Sequence, residues 1–345
     1  MKSRRTLLAA SVIALSGLAA AACSSSNSSS TPTASSSSTA ASSGSSVNLS
    51  SVTLNVGDQK GTGAEAVLKA AGLLSTLPFK VSWSDFTSGP PMLEAMASGS
   101  VDVGGVGDAP PVFAASGGEQ VEIVGARSVP SGDQDALVVP KGSSITSIQQ
   151  LKGKKIAYGS GSSANYHLLT VLNKAGLTTK DVTLVNLQPA NALAAFTSGA
   201  VDAWDIWPPY VQQVVAQDGA KVLAIGSQYG SPYSFEVASK AAVANAEKAA
   251  AIKVYLATLN KAYVFTATHP DVWGAAWGAA SGLPASITTE AAKVDATTPV
   301  TITSAVISSE QNLVSQFYKA GLIPNNVDMS GFITSEFNST VSESG

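Results

Sequence analysis

Two copies of one short pattern constrain this chain more than any other feature of its sequence. Ser-Gly-Ser-Val-Asp stands at residues 98–102, and Ser-Gly-Ala-Val-Asp stands at residues 198–202. Each copy follows an apolar helical segment and precedes an apolar strand, and a double proline follows at residues 110–111 and 208–209. The repetition predicts that one supersecondary unit is used twice, in two α/β lobes with a cleft between them. Small ligands favour such interfaces and the ends of sheet strands.

Strand and helix patterns alternate after residue 51, which is typical of α/β domains with a mostly parallel sheet covered by helices on both faces. Two extended segments, residues 135–140 and 232–237, are predicted to cross between the lobes. They divide the chain into lobe 1, at residues 51–138 plus 232–345, and lobe 2, at residues 139–231. A hinge of two strands permits the lobes to close around a ligand.

The start of the chain has the pattern of an export signal. Residues 1–5 carry one lysine and two arginines, residues 6–22 are uncharged and mostly apolar, and Cys23 follows. Small residues before a cysteine resemble a bacterial lipobox, although Ala20 stands where that motif usually has leucine. Residues 1–22 are therefore predicted to be a lipoprotein signal peptide, with Cys23 lipidated. An ordinary cleaved signal or a membrane anchor is the alternative, and both general and twin-arginine export fit the paired arginines.

Residues 23–50 consist mainly of Ser, Thr, Ala and Asn, so they cannot bury enough apolar surface to offset their ordering entropy. We expect a flexible tether that holds a monomer at the outer face of the cytoplasmic membrane. Cys23 is the only cysteine, which excludes a disulfide within one chain. The formal net charge of −3 and the charged fraction of 12% provide no basic face for nucleic acid.

Five further segments are most informative when taken together. They are Val-Gly-Asp-Gln-Lys at residues 56–60, Phe-Thr-Ser-Gly-Pro-Pro-Met-Leu-Glu-Ala at 86–95, Gly-Asp-Ala-Pro-Pro-Val-Phe-Ala at 107–114, Leu-Lys-Gly-Lys-Lys-Ile-Ala at 151–157, and Val-Asp-Ala-Trp-Asp-Ile-Trp at 201–207. With them, nearly the whole mature chain resembles the solute-binding lipoproteins of ABC importers for aliphatic sulfonates, taurine and nitrate, and the sulfonate branch above all.

This resemblance implies a type II periplasmic-binding-protein fold and no catalysis, and we expect no cofactor or metal. It also implies delivery of a small anion, such as an alkyl or aryl sulfonate, to a membrane permease with a separate ATPase. The chain departs from the family pattern at Pro208, where many relatives have aspartate, and at Ser88, where alanine is frequent. These departures leave nitrate, taurine, a thiamine precursor and a non-transport ligand sensor open as alternatives.

An enzyme on the same fold is the alternative from another class. The pyrimidine-forming relatives of thiamine biosynthesis resemble cytosolic proteins with a Cys-rich segment, whereas this chain has an export pattern and one cysteine. A serine hydrolase is disfavoured because no G-x-S-x-G elbow with a placed histidine is present.

A Ser- and Gly-rich turn in lobe 2, residues 159–164, follows a strand and opens a helix. Backbone N–H groups and hydroxyls converge at such a helix N-terminus, which suits an oxyanion. The expected donors are Ser160, Gly161, Ser162, Ser163 and Asn165. The alternative is a turn that only caps its helix. The turn also fits the dinucleotide fingerprint G-x-G-x-x-A, but the acidic residue that this site needs is replaced by Gln188.

Polar turns of lobe 1 repeat the same order of strand, turn and helix. Gln59 follows the first strand, Thr87 and Ser88 follow the second, and Gly107 and Asp108 follow the third. All five residues are expected at the cleft. The alternative is a helix-entry role for Gln59 and an N-cap role for Thr87 and Ser88. Asp108 is expected to cap its helix or orient a neighbour, since its charge would repel an anion.

Aromatic and imidazole side chains complete the candidate set. Trp204 is expected to form an apolar wall of the ligand site, while Trp207 fits the cleft and the core equally well. His167 is expected to be structural, with donation to an anion as the alternative, and His269 is expected to be structural. One cysteine and two separated histidines give little support to a zinc site.

Overall fold

The computed structural model describes residues 47–59 and 63–342. The predicted signal peptide and the predicted lipidation site Cys23 lie outside these ranges. Of the predicted tether, residues 47–50 are described, and a 3-10 turn at Leu49–Ser51 shows that the prediction extends too far at this end. None of the described helices has the length and apolarity needed to cross a bilayer.

Strands and helices alternate as the sequence predicts. In chain order the described strands are β1 (Thr53–Gln59), β2 (Lys80–Phe86), β3 (Val103–Val106), β4 (Val121–Ser128), β5 (Ala136–Val139), β6 (Lys155–Tyr158), β7 (Thr183–Asn186), β8 (Ala203–Ile206), β9 (Lys221–Ile225), β10 (Tyr233–Ser239) and β11 (Thr298–Val300). The helices are α1 (Ala64–Ala70), α2 (Gly89–Ala97), α3 (Ala109–Gly117), α4 (Ser163–Lys174), α5 (Pro189–Thr197), α6 (Tyr210–Asp218), α7 (Gly226–Tyr229), α8 (Lys240–Ala244), α9 (Ala246–Thr268), α10 (Pro270–Ser281), α11 (Ala285–Val294), α12 (Ser304–Lys319) and α13 (Ser339–Ser342).

The strands form two sheets of matching topology, which confirms the prediction of two α/β lobes. The first sheet has the order β11-β4-β10-β3-β1-β2, and the second has the order β7-β6-β8-β5-β9. With β11 set aside, the two orders correspond strand for strand. In each sheet four strands run in one direction, and a strand that arrives from the other lobe, β10 or β5, lies antiparallel among them.

The aspartate of each Ser-Gly-small-Val-Asp copy ties two strands together in the same way. In lobe 1 the Asp102 carboxylate accepts the Asn55 N–H at 2.9 Å, and the Asp102 N–H donates to the Asn55 carbonyl at 2.7 Å. In lobe 2 Asp202 and Lys155 make the same two hydrogen bonds, both at 2.8 Å. The repeat therefore fixes β3 beside β1 and β8 beside β6.

The Ser-Gly pair of each copy ends the preceding helix. Gly99 and Gly199 have φ values of +83° and +74°, a left-handed conformation that glycine adopts without steric cost. The N–H groups of Gly99 and Ser100 donate back to the carbonyls of Met96 and Ala95. This Schellman arrangement recurs after α5 and turns the chain toward the next strand.

Two connections cross between the lobes, at residues 129–135 and 226–232. They are joined where the Gly226 N–H donates to the Asp135 carbonyl at 2.8 Å. The first crossing was predicted at residues 135–140, with lobe 1 extending to residue 138. That boundary falls inside β5, which pairs with β8 and β9 in the second sheet, so the chain enters lobe 2 before Ala136.

Trp204 lies in the core of lobe 2, so the prediction that it faces the ligand is wrong. Its side chain is 0% exposed and packs between the rings of Phe196 and Tyr210, at centroid distances of 5.9 and 5.7 Å. The physical reason is the position of β8, which lies between β6 and β5 and is covered on both faces. Trp207 follows the end of that strand and reaches the cleft.

A buried ion pair joins α4 to β8. His167 and Asp205 are both fully buried, and the His167 Nδ1 lies 2.9 Å from the Asp205 carboxylate. Burial alone would lower the pKa of His167, but the carboxylates of Asp205 and Asp135 raise it to about 9. The histidine is therefore a structural cation of lobe 2, as expected, and it does not line the cleft.

We predict that Trp204→Ala lowers the free energy of unfolding by about 3–5 kcal/mol, because it leaves a cavity in a fully buried position. Chemical denaturation checks this value. Val215→Ala on an exposed surface of α6 is the control and is expected to change stability by less than about 0.5 kcal/mol. A Trp204→Ala variant as stable as the control would contradict the packing described.

We also predict that stability falls as the pH rises from about 6.5 to 9. Because the pKa of His167 is raised in the folded protein, its ion pair with Asp205 stabilises the fold fully below the ordinary histidine pKa. This stabilisation is lost as the proton leaves at higher pH, by at most about 1.4 kcal/mol per pH unit. Denaturant titrations across this window should show the slope in the wild type and not in His167→Gln. The exposed His269→Gln is the matched control, and an equal slope in both variants would refute the assignment.

Candidate ligand-binding cleft

A cavity of about 130 Å³ lies between the two lobes. Lobe 2 contributes Ser162, Ser163, Trp207 and Pro208, and the first crossing contributes Gln134. Lobe 1 contributes the ends of its strands and the starts of its helices, namely Asp58, Gln59, Gly63, Ala64, Val67, Gly89, Gly105, Val106, Gly107, Pro110, Arg127 and Ser234. The C-terminal helical part adds Tyr263, Thr266, Ala267, Trp273, Asp295, Ala296 and Thr297.

Three helix N-termini of lobe 1 have few donors left for a ligand. At α1 the Asp58 carboxylate accepts the N–H groups of Gln59 and Glu65 at 2.8 and 3.0 Å. A Cβ at Gly63 would overlap this carboxylate, so the position requires glycine. Helices α2 and α3 carry proline in their first turns, which removes N–H donors. An anion therefore finds little to bind at these ends.

The N-terminus of α4 is different. Ser163 and Ala164 carry backbone N–H groups for which the described part of the chain supplies no hydrogen-bond acceptor. Ala164 is 0% exposed, and buried backbone donors are nearly always paired in native proteins. Ser162 and Ser163 line the cavity, so this helix end opens to it. The arrangement is suited to an anionic group of a bound ligand.

The hydroxyls of Ser162 and Ser163 do not have the predicted role of anion donors. Ser162 Oγ donates to the Gly159 carbonyl at 2.7 Å, and Ser163 Oγ donates to the Asp135 carboxylate at 2.9 Å. Asn165 is buried and accepts the Gly161 N–H at 3.0 Å. These bonds hold the turn in shape and leave its backbone to face the cavity.

Several other predicted residues lie beside the cavity rather than on its lining. Thr87 and Ser88 both donate to the Gln188 carboxamide oxygen of lobe 2, at 2.8 and 3.0 Å, and so connect the lobes. Asp108 caps α3 by accepting the Ala109 N–H at 2.7 Å, as expected. Ser160 donates its N–H to an asparagine side chain of β7. Of the predicted set, the lining contains Gln59, Gly107, Ser162, Ser163 and Trp207.

The lobes meet closely where Gly107 faces Ser163. A Cβ at Gly107 would lie 2.9 Å from the Ser163 Cβ, closer than real side chains approach one another. On the same side of the cleft, the Gln59 side-chain amide donates to the Gly105 carbonyl at 3.0 Å. The structure is therefore a closed arrangement in which the absence of a side chain at Gly107 lets α4 approach lobe 1.

Sequence reasoning missed the charged and aromatic lining of lobe 1. Arg127 near the end of β4 and Asp295 after α11 are the main examples, together with Tyr263 and Trp273. The one arginine of a mostly apolar strand is a signal that could have identified Arg127. Asp295 has no such signal, because only the packing of the C-terminal helices brings it to the cleft.

The carboxyl groups at this end of the cleft have raised pKa values. Burial raises the pKa of Asp58 to about 6 even though backbone N–H groups stabilise its charge. Burial also raises the pKa of Asp295 to about 6 and that of Glu236 to about 7, although Arg127 acts against both shifts. For each of these carboxyls, the cost of burying the charged form therefore exceeds the stabilisation that neighbouring groups give to it.

Known proteins resemble this chain in both sequence and fold. A family model described as NMT1/THI5 like matches residues 88–272. A relative from Escherichia coli (strain K12), named as an aliphatic sulfonates-binding protein, is 36% identical over 286 residues, which cover 81% of this chain and 88% of the relative.

Two solved structures agree with this assignment. The alkanesulfonate-binding protein SsuA from Xanthomonas axonopodis pv. citri, bound to MOPS, has a TM-score of 0.77 and 32% identity, with 83% of this chain and 99% of that chain covered. The periplasmic aliphatic sulphonate binding protein SsuA from Escherichia coli has a TM-score of 0.72 and 34% identity, with 82% and 92% covered. The chain therefore has the periplasmic-binding-protein fold, and it belongs to the NMT1/THI5-like family, among the aliphatic sulfonate-binding proteins.

Proposed function

We propose that this protein is the extracytoplasmic substrate-binding subunit of an ABC importer and that it captures a sulfonate between its two lobes. The observation that carries the proposal is the α4 N-terminus, where the N–H groups of Ser163 and Ala164 lack an acceptor among the described residues. The relatives named for binding aliphatic sulfonates or alkanesulfonates support the same ligand class.

A sulfonate fits this site because its oxygens accept several hydrogen bonds at once. In the proposed complex they accept from the α4 backbone, with the helix dipole adding to the attraction. Gln59 and Gly107 border the same space from lobe 1. The tail of the ligand lies against Trp207, Pro208 and Val106, which provide an apolar wall.

Residues outside the lining have supporting roles in this proposal. The turns are held in position by Asp108, Ser160, Gly161 and Asn165. The lobes are kept closed by a contact in which Thr87 and Ser88 donate to Gln188. Such contacts help a binding protein to close around its ligand and exclude water.

Binding without catalysis is the role that the cleft supports best. The hydroxyls of Ser162 and Ser163 donate to protein acceptors, and His167 pairs with Asp205 away from the cavity lining. A serine activated by a histidine base is therefore not found among the described residues. Desulfurization enzymes share the fold at 16% identity, a likeness that extends to the fold alone.

The cellular setting follows from the sequence pattern and is part of the proposal. Residues 1–22 direct export, Cys23 carries the lipid anchor, and residues beyond it tether the monomer at the outer face of the cytoplasmic membrane. From there the closed, loaded protein delivers its ligand to a permease that is driven by a separate ATPase.

We predict that Ser163→Pro weakens sulfonate binding by about tenfold or more. Proline is tolerated at the first position of a helix, and Ser162 already has the extended conformation that a residue before proline prefers. The substitution removes one charge-assisted N–H donor, worth about 1.5–3 kcal/mol. Isothermal titration calorimetry against a panel of alkyl and aryl sulfonates measures the effect and should give 1:1 binding in the wild type.

Ser163→Ala is the matched control, because it removes the hydroxyl and keeps the backbone donor. Its affinity should stay closer to that of the wild type than the affinity of Ser163→Pro does. Equal affinities of the two variants would refute the backbone site. Nitrate, sulfate and a thiamine precursor complete the panel, and binding of one of these without any sulfonate would overturn the proposed function.

A further inference from the structure

Two aspartates are buried where the N-terminus of α4 meets lobe 1. Asp108 caps α3 in lobe 1, and Asp135 lies at the end of the first crossing. Both residues are almost completely buried, at 2% and 5% exposure. Ser163 connects them, because it packs on Gly107, the neighbour of Asp108. The Ser163 hydroxyl also donates to the Asp135 carboxylate at 2.9 Å.

The other titratable groups that act on this pair come from both lobes. They are His167 and Tyr166 of α4, Asp205 of β8, Glu310 of α12 and Asp295 after α11. Among these described groups His167 is the one cation, and its Nδ1 already lies 2.9 Å from the Asp205 carboxylate. Burial raises the pKa of Tyr166 to about 12, so its phenol is neutral. The carboxyls therefore outnumber the positive charge that is available to them.

Glu310 shows how little this region can stabilise a carboxylate. The residue is 0% exposed, and neither of its carboxyl oxygens has a hydrogen-bond partner among the residues that the structure describes. A buried carboxylate without partners is costly, so the neutral form is favoured. Burial and the like charge of Asp108 accordingly raise the pKa of Glu310 well above its ordinary value.

A bound anion would add to the negative charge at this contact. The free N–H groups of Ser163 and Ala164 lie beside the hydroxyl that Asp135 holds. A sulfonate at the start of α4 therefore lies next to Asp135, while closure brings Asp108 to the same place from lobe 1. Like charges so close together in a buried site favour the neutral form of one of them.

We propose that Asp108 and Asp135 form a proton-binding site at the contact between the lobes, and that the protein takes up a proton from solvent together with its anionic ligand. This inference rests on the proposed function and adds a regulation of the same site. The pair shares the proton in the closed, loaded form. When the lobes separate, Asp108 moves away from Asp135, water reaches both carboxyls, and the proton is released with the anion.

The pKa values of the pair agree with this proposal. Burial, reinforced by Asp205, raises the pKa of Asp135 to about 7, although His167 acts against the shift. Burial and the charge of Asp135 raise the pKa of Asp108 well above its ordinary value. Hydration in the open form returns both values toward the ordinary aspartate pKa of about 4.

The direction of the pH dependence follows from this difference. The closed form has the higher pKa values, so it binds more protons than the open form. Ligand affinity is therefore greatest at mildly acidic pH and falls as the pH rises toward the pKa of the closed form. Above that pKa both forms are deprotonated, and the affinity stops changing.

Calorimetry with a plain alkanesulfonate tests the proposal, because such a ligand keeps its single negative charge throughout the pH range used. Titrations near pH 6 in two buffers of different ionisation enthalpy count the protons that are taken up. For the wild type we expect about 0.5 proton or more per ligand. We also expect the affinity to fall by about tenfold or more between about pH 5.5 and 8.

The double variant Asp108→Asn/Asp135→Asn removes both titrating groups and keeps their acceptor oxygens. Asparagine caps a helix as well as aspartate does, and its carboxamide oxygen still accepts from Ser163. We expect uptake below about 0.3 proton and an affinity that changes by less than about threefold over the same pH range. Asp218→Asn on an exposed helix end is the control and should behave as the wild type does.

Melting temperatures at each pH establish that the variants are folded. If the double variant does not fold, the two single variants decide, and each should take up fewer protons than the wild type. Asp295→Asn examines the acidic group on the other side of the cleft and should keep at least half of the uptake. If the double variant takes up as many protons as the wild type, the proton is bound elsewhere and the inference fails.

The outcomes also separate the inference from the proposed function. If the wild type binds the alkanesulfonate without proton uptake, or binds it more tightly as the pH rises, the proposed function stands and the inference fails. If no sulfonate binds at any pH, the proposed function fails and the inference fails with it.

Discussion

A carboxylate at the end of each Ser-Gly-small-Val-Asp repeat binds the backbone of the neighbouring strand, and the geometry of the cleft depends on this pair of contacts. Asp102 holds β3 beside β1, and Asp202 holds β8 beside β6. The cleft residues lie at the carboxyl ends of these strands, so strand register determines where they point. Because the same pair of hydrogen bonds is used in both lobes, the turns that follow these strands lie at the cleft in each lobe.

Within this frame, the chemistry of the cleft depends on which backbone donors remain free. Prolines at the starts of α2 and α3 remove N–H groups, and the Asp58 carboxylate occupies the start of α1. The N-terminus of α4 keeps its donors, because its hydroxyls bond to protein acceptors and its first residue is serine. The cleft is thus asymmetric: lobe 2 presents the backbone N–H groups at the start of α4, while lobe 1 presents carboxylates, an arginine paired with Glu236 and aromatic rings.

Much of this arrangement can be predicted from local sequence, and the failures have a common cause. The two lobes, the turn proposed to bind an anion and the cap formed by Asp108 follow from patterns within a few residues. Trp204 and Trp207 cannot be assigned this way, since they lie near the end of the same strand and only its neighbours decide which is buried. The seryl hydroxyls are expected from the sequence to bind a ligand, but the Ser163 hydroxyl donates its hydrogen bond to Asp135, a residue distant in sequence.

The sequence by itself determined the repeat, the α/β architecture, the family and the location of the helix N-terminus that suits an anion, because these depend on periodicity, turn residues and proline positions. Only the tertiary structure decided the charge of the cleft. Arg127, Glu236 and Asp295 come from three separate parts of the chain, and their meeting depends on how β10 pairs with β4 and how α11 packs against α9 and α10. Electrostatic interactions of this kind act through space, so no local pattern of residues records them.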